Sequence, residues 1–171
     1  MSFTTVKKEL NRLDKAKLIA LIGDLYKKHK NVQEYLDHFA SPDEKGLFEK
    51  YKEQVIGAFF PLRGWDYDLR KGKQAISDFR KLEPSPQQLA GLMLVYVETG
   101  VEFTNQFGDI NETFYNSLES VYHQTLKLLK KEGLLPKFEK RLRKVLTDTS
   151  DIGWGFHDTL SDYFFEYFDH T

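Results

Sequence analysis

The 171-residue chain is 40% hydrophobic and 30% charged, as is typical of globular proteins, and its length suits a single domain over residues 1–171. Because it contains no cysteine, disulfides, thiolate metal sites and a cysteine nucleophile are excluded. Its net charge of −1 provides no general attraction to nucleic acid or to an anionic membrane.

Apolar residues recur at helical spacing through the first half of the chain. Asp14 is placed to cap the first of these helices, and Asn31 is placed to cap the next. Ser41 followed by Pro42 has the form of an N-cap and a first-turn proline, which predicts a further helix start. Residues 62–67 are the least regular stretch and are predicted to form a loop.

The second half of the chain continues the helical pattern. Ser85 and Pro86 repeat the cap-and-proline start, and the helix that follows is apolar on nearly all sides, as expected for a central helix. Gly133 is placed to end a later helix. The sequence therefore predicts an all-α fold of about seven helices in antiparallel hairpins, arranged as an irregular bundle or a short α-α superhelix.

Four short strings in the chain resemble a known family. They are Ala-Ile-Ser-Asp-Phe at residues 75–79, Tyr-Val-Glu-Thr-Gly-Val-Glu-Phe-Thr at 96–104, Phe-Gly-Asp-Ile at 107–110 and Gly-Trp-Gly-Phe-His-Asp at 153–158. On these strings the chain resembles an uncharacterised family of small all-helical bacterial proteins, a domain of unknown function. The resemblance implies a single domain and a bacterial source, and it brings no activity, cofactor or catalytic residue with it.

The Gly-Trp-Gly-Phe-His-Asp segment is the most unusual part of the sequence, because two glycines flank a tryptophan just before a helix. Glycine at these positions allows a positive φ or a close approach to another element. Trp154 offers a stacking face and His157 a proton carrier, so with Asp158 they form a candidate small-ligand or enzyme site. The structural alternative is a tight turn with Trp154 in the core and His157 bonded to a carboxylate.

Carboxylates elsewhere are candidates to complete that site. Glu98 and Glu102 lie one helical turn apart, and Asp109 follows them. Glu119 and His123 share the same spacing, but the Glu-x-x-His pattern of helical di-metal centres is absent. The chain also lacks a phosphate-binding loop and a Gly-x-Ser-x-Gly elbow. We therefore expect no metal, no cofactor and no catalytic residue.

Two charged stripes are predicted near the C-terminus. The basic stripe comprises Lys137, Lys140, Arg141 and Lys144, and the acidic stripe comprises Asp158, Asp162, Glu166 and Asp169. They form either two solvated faces of adjacent helices, which can but need not pair with each other, or a polarised surface that orients a partner protein or pairs with a neighbouring copy. Phe165 and Phe168 lie off the main apolar face of the last helix, and if they are exposed they favour a contact such as a homodimer through that helix.

The leading hypothesis is a non-enzymatic helical module that binds another protein through its C-terminal helices. The alternative is a small-ligand-binding protein or an enzyme with its site near the Gly-Trp-Gly-Phe-His-Asp segment. Nucleic acid is not expected as a partner because the basic stripe is short, and no apolar run approaches the about 18 residues of a membrane span. The N-terminus lacks the apolar stretch of a secretory signal, so we expect a cytoplasmic protein.

Overall fold

The computed structural model describes residues 2–63 and 66–168, and every regular element in these ranges is a helix. In chain order these are α1 Phe3–Leu10, α2 Lys15–Lys28, α3 Lys30–Ala40, α4 Glu44–Phe59, α5 Leu69–Lys81, α6 Pro86–Phe107, α7 Glu112–Lys131, α8 Leu135–Asp148 and α9 Phe156–Phe168. None of these helices is long and apolar enough to cross a membrane. The all-α prediction is confirmed.

The predicted number of about seven helices is too low, since the described residues contain nine. The α1 helix has only eight residues and buries no side chain, so it shows no extended apolar pattern. Only three residues separate α7 from α8. The predicted irregular stretch lies between α4 and α5, and its residues Gly64 and Trp65 are outside the described ranges.

Most of the predicted helix boundaries are confirmed. The side chains of Asp14 and Ser85 each accept a hydrogen bond from a backbone N–H in the first turn of their helix. Gly133 follows α7 with a φ of 66°, the left-handed conformation of a helix end.

Two predictions of helix starts are wrong. Asn31 lies inside α3, which begins at Lys30. Ser41 is the C-cap of α3, and α4 begins only at Glu44, so Ser41 and Pro42 are not its N-cap and first residue.

The chain divides into two compact units, Met1–Asp43 and Glu44–Thr171. The first unit holds α1 to α3, and none of its described side chains is buried. Within it, α2 and α3 are joined by a hydrogen bond of 2.7 Å from the Tyr26 hydroxyl to Asp37. The second unit holds α4 to α9 and the hydrophobic core. The expectation of one domain over the whole chain stays a prediction.

The α6 helix is the central element of the second unit, as its apolar sequence predicts. All of residues 90–97 are buried, and the helix packs against α4, α5, α7 and α8. Aromatic rings fill the space around it: the Phe59 ring centroid lies 5.0 Å from that of Tyr96 and 6.0 Å from that of Phe114. The unit is therefore built around one helix that is enclosed on all sides over residues 90–97.

Two buried tyrosines of this core differ in the hydrogen bonding of their hydroxyl groups, which predicts different effects on stability. The Tyr96 hydroxyl forms a 2.8 Å hydrogen bond with Ser117 Oγ, whereas the Tyr122 hydroxyl has no hydrogen-bond partner among the described residues. We expect Tyr96→Phe to lower the free energy of unfolding by about 1 kcal/mol, because Ser117 loses its partner. Tyr122→Phe removes an unsatisfied group and is expected to leave stability unchanged or raise it by up to about 1 kcal/mol.

Denaturant unfolding of the two variants beside the wild type measures both effects. A Tyr122→Phe variant that is less stable than Tyr96→Phe would contradict the hydrogen-bond assignment.

Candidate functional site

The Gly-Trp-Gly segment forms the turn between α8 and α9, and it shows both predicted backbone features. Gly155 has a φ of 67° and Trp154 a φ of 63°, which is uncommon for a residue with a side chain. A Cβ atom at Gly153 would lie 3.0 Å from Asp109 Oδ2, so the turn packs closely against the segment that follows α6. The Oδ1 atom of Asp109 accepts a 2.8 Å hydrogen bond from the Tyr115 hydroxyl, which holds the carboxylate in place.

The Trp154 side chain is exposed over 62% of its surface, so the interpretation that placed it in the core is wrong. The core position at this turn is taken by Phe156, which is fully buried with its ring centroid 4.9 Å from that of Tyr115. The left-handed backbone at Trp154 and Gly155 lies between the exposed Trp154 side chain and the buried Phe156 side chain. Trp154 therefore presents its indole to the surface directly before α9.

His157 bonds to hydroxyl groups, and the predicted carboxylate partner is wrong. Its Nδ1 atom lies 3.1 Å from Thr149 Oγ1, and its Nε2 atom lies 3.5 Å from Ser161 Oγ. Thr149 is fully buried at the end of α8. His157 thus ties the start of α9 to the end of α8 and is only partly exposed.

Glu98 and Glu102 lie on one side of α6 and line a groove of about 660 Å³ between α6 and α8. The groove is also lined by two valines, two amide side chains and one ion pair, namely Val101, Val145, Asn105, Gln106, Lys144 and Asp148. The Glu98 carboxylate is held by Arg141 through two hydrogen bonds of 2.9 and 2.7 Å. Trp154, His157 and Asp158 do not line this groove, so the predicted site residues do not converge in it.

The acidic stripe follows one exposed face of α9. Asp158, Asp162 and Glu166 are all exposed, and none lies within ion-pair distance of a lysine or arginine in the described ranges. Phe165 lies on the same face and is exposed over 46% of its surface. Asp169, the last residue of the predicted stripe, is outside the described residues.

The basic stripe on α8 is engaged elsewhere. Arg141 pairs with Glu98 of α6, and Lys144 pairs with Asp148 of its own helix. The two stripes therefore form no ion pair with each other in the part of the chain that the structure describes. Arg141 and Lys144 are thus each paired with an acid, whereas the three described acids of the acidic stripe have no lysine or arginine partner among the described residues.

Phe168 is packed, unlike Phe165. Its ring stacks on that of Phe164 at a centroid distance of 4.3 Å and an interplanar angle of 12°. Of the two aromatic residues that lie off the main face of α9, only one is thus left at the surface.

Glu119 and His123 lie on α7 beside α9. The His123 ring stacks on that of Tyr163 with a centroid distance of 4.2 Å, and its Nε2 atom lies 3.4 Å from the Tyr167 hydroxyl. Partial burial lowers the pKa of His123 and raises that of Glu119. The described residues contain no group of three or more His, Asp or Glu side chains that could hold a metal ion.

Comparison with known proteins matches the chain to one family. The model of DUF6155, a family of unknown function, matches residues 1–169. The chain belongs to this family. The match confirms the resemblance seen in the four strings. No curated protein and no solved structure matches the chain.

The carboxylates among the candidate residues of this DUF6155 chain thus lie at three separate places in the structure. Glu98 and Glu102 lie in the α6–α8 groove, Asp109 lies against the turn, and the acids of α9 form an exposed face. His157 connects α8 to α9. Membership of DUF6155 assigns a role to none of them.

Proposed function

We propose that this protein is a non-enzymatic helical module that binds the Lys/Arg-rich surface of another protein. The binding surface is the α9 acidic face, which we define as Asp158, Asp162, Phe165 and Glu166. The observation that carries the proposal is that three exposed carboxylates share one face of α9 with an exposed aromatic ring and form no ion pair in the described ranges. A basic partner is complementary to such a surface.

The positions of the acids along α9 support a role in binding over a role in stability. Asp158 lies in the first turn, where the helix dipole favours a negative charge. Glu166 lies in the last turn, where the dipole disfavours it, and that turn contains no basic residue within the described helix. The three acids also repel one another along one face. A contribution to the stability of α9 therefore explains why position 158 is acidic, but it does not explain why positions 162 and 166 are acidic.

Aromatic side chains at the surface supply the apolar part of the proposed contact. Phe165 lies on the same face of α9 as the acids, and Trp154 lies two residues before the start of α9 with 62% of its surface exposed. Tryptophan and other large aromatic residues are enriched among the residues that contribute most to protein–protein affinity. In this arrangement the aromatic rings provide buried area, and the carboxylates select a cationic partner.

A homodimer through α9 is the other arrangement that the exposed aromatic ring suggests. In a two-fold dimer the same surface patch meets itself. That geometry would place each α9 acidic face against its copy and bring like charges together, which opposes association. We therefore favour a different, basic protein as the partner.

Affinity capture with matched variants tests the proposal. Three baits are compared in lysate of the source organism: the wild type, the α9 variant Asp162→Lys/Glu166→Lys and the control variant Glu53→Lys/Glu83→Lys. The proteins that each bait captures are quantified by mass spectrometry. The control residues are also exposed and without an ion pair, and the charge change is identical. We expect a basic protein retained by wild type and control and reduced about tenfold or more on the α9 variant.

The captured protein is then purified and its binding measured at low and high salt, where screening should weaken the contact. Identical recovery by all three folded baits would overturn the proposal. If the only protein captured is the lysate's own copy of this chain, and the α9 variant fails to capture it, the result would indicate the homodimer instead.

A small-ligand function is the second candidate, and the volume of the α6–α8 groove favours it. About 660 Å³ falls within the range of about 300–1,000 Å³ that ligand pockets occupy. A cytoplasmic location, a bacterial source and the arrangement of the helices as a bundle or superhelix stay predictions. All are compatible with either function.

A further inference from the structure

A second, smaller cavity lies between α5, α6 and α7, and none of its residues is a candidate site residue in the sequence analysis. Its volume is about 140 Å³. Buried apolar side chains, Ile76, Met93 and Val121, form its floor. Polar side chains, Lys73, Ser77, Arg80 and Gln124, form its rim. No carboxylate lines it, so the cavity joins an apolar floor to a rim with two positive charges.

The two cations of the rim are arranged on one face of α5. Lys73, Ser77 and Arg80 are spaced i, i+4, i+7 along the helix and therefore point in the same direction. Neither Lys73 nor Arg80 forms an ion pair in the described part of the chain. By contrast, Lys71 and Lys81 of the same helix each lie within ion-pair distance of an aspartate.

Both cations border the cavity and are themselves exposed. The Nη2 atom of Arg80 lies 3.8 Å from Met93 Sδ on the floor, so the guanidinium is held over the cavity. Partial burial lowers the pKa of Lys73, although its side chain is exposed at the rim. An anion bound at the rim would face two positive charges that have no ion-pair partner among the described residues.

We propose that this cavity binds a small oxyanion, a carboxylate or phosphate group attached to a short apolar moiety. Lys73 and Arg80 supply the charge, and the planar guanidinium can donate two parallel hydrogen bonds to either group. The Ser77 hydroxyl and the Gln124 amide, which donates to Ser120 Oγ at 3.0 Å, are further donors at the rim. The volume equals that of about five water molecules, which limits the ligand to a small compound.

Titration with two simple probes tests the proposal. Inorganic phosphate and butyrate are added separately at constant ionic strength, and binding is followed by ¹H–¹⁵N NMR. Three proteins are compared: the wild type, the cavity variant Lys73→Gln/Arg80→Gln and the control variant Arg70→Gln/Lys71→Gln. The control removes the same charge from the same helix at exposed positions outside the cavity. We expect saturable shifts at Ser77 and Gln124 with a Kd in the millimolar range, in wild type and control alike.

In the cavity variant the affinity should fall about tenfold or more. Saturation by phosphate alone assigns a phosphate ligand, and saturation by butyrate alone assigns a carboxylate with an apolar chain. Absence of saturable binding by both probes, or equal binding by the two folded variants, would overturn the site.

Discussion

Replacement of Gly100 by valine is expected to lower the free energy of unfolding by about 3 kcal/mol. A Cβ atom at this position on α6 would lie 2.4 Å from Leu118 Cδ2 and 2.7 Å from Leu118 Cδ1 on α7. Leu118 is fully buried, so its side chain has no free space into which it can rotate. The variant must therefore push α6 and α7 apart or strain Leu118, and denaturant unfolding measures the cost.

A glycine in open space provides the control for this prediction. Gly57 on α4 has nothing within 4 Å of the position of its Cβ atom, so Gly57→Val should change stability by no more than about 0.5 kcal/mol. Shortening the opposing side chain should relieve the clash, so Gly100→Val and Leu118→Ala should show a coupling of at least about 1 kcal/mol in a double-mutant cycle. Equal costs for Gly57→Val and Gly100→Val would mean that α6 and α7 are not in this close contact.

Truncation of Phe59 to alanine is expected to lower the free energy of unfolding by about 4 kcal/mol. Its buried ring joins α4 to α6 and α7, with centroids 5.0, 6.4 and 6.0 Å from those of Tyr96, Phe103 and Phe114. The substitution leaves a cavity among aromatic rings that cannot collapse easily. Thermal or denaturant unfolding measures the loss.

Phe107 is the matched control for Phe59, since it also contacts Phe103 but is exposed over 55% of its surface. Phe107→Ala opens no closed cavity and should cost about 1 kcal/mol or less. A Phe59→Ala variant as stable as Phe107→Ala would show that the core is not organised around the Phe59 ring.

Local signals explain which parts of the fold are predictable from the sequence. The caps at Asp14 and Ser85 depend on hydrogen bonds within four residues, and the central position of α6 follows from its apolar composition. The α1 helix escapes prediction because it buries nothing and so has no apolar periodicity to detect. Asn31 shows the limit of cap signals, since a residue that suits an N-cap also occurs inside helices.

The candidate site shows the same division between local and long-range information. The spacing of Glu98 and Glu102 places both on one side of α6, but their common groove depends on α8, and Arg141 is 43 residues away from its partner Glu98. The glycines beside Trp154 permit a left-handed turn without determining which aromatic residue is buried. The cations of the smaller cavity are regularly spaced in sequence, yet only the tertiary structure shows that no carboxylate faces them.

Site-specific photo-crosslinking in cells is the most direct test of partner binding by the α9 acidic face. A photo-reactive phenylalanine analogue is placed at Phe165 and, as a control, at Phe107, which is comparably exposed but lies at the end of α6. We expect position 165 to crosslink one basic protein that is absent from the control and is lost when Asp162→Lys and Glu166→Lys are added. No crosslink at position 165, or the same proteins from both positions, would contradict binding through this face.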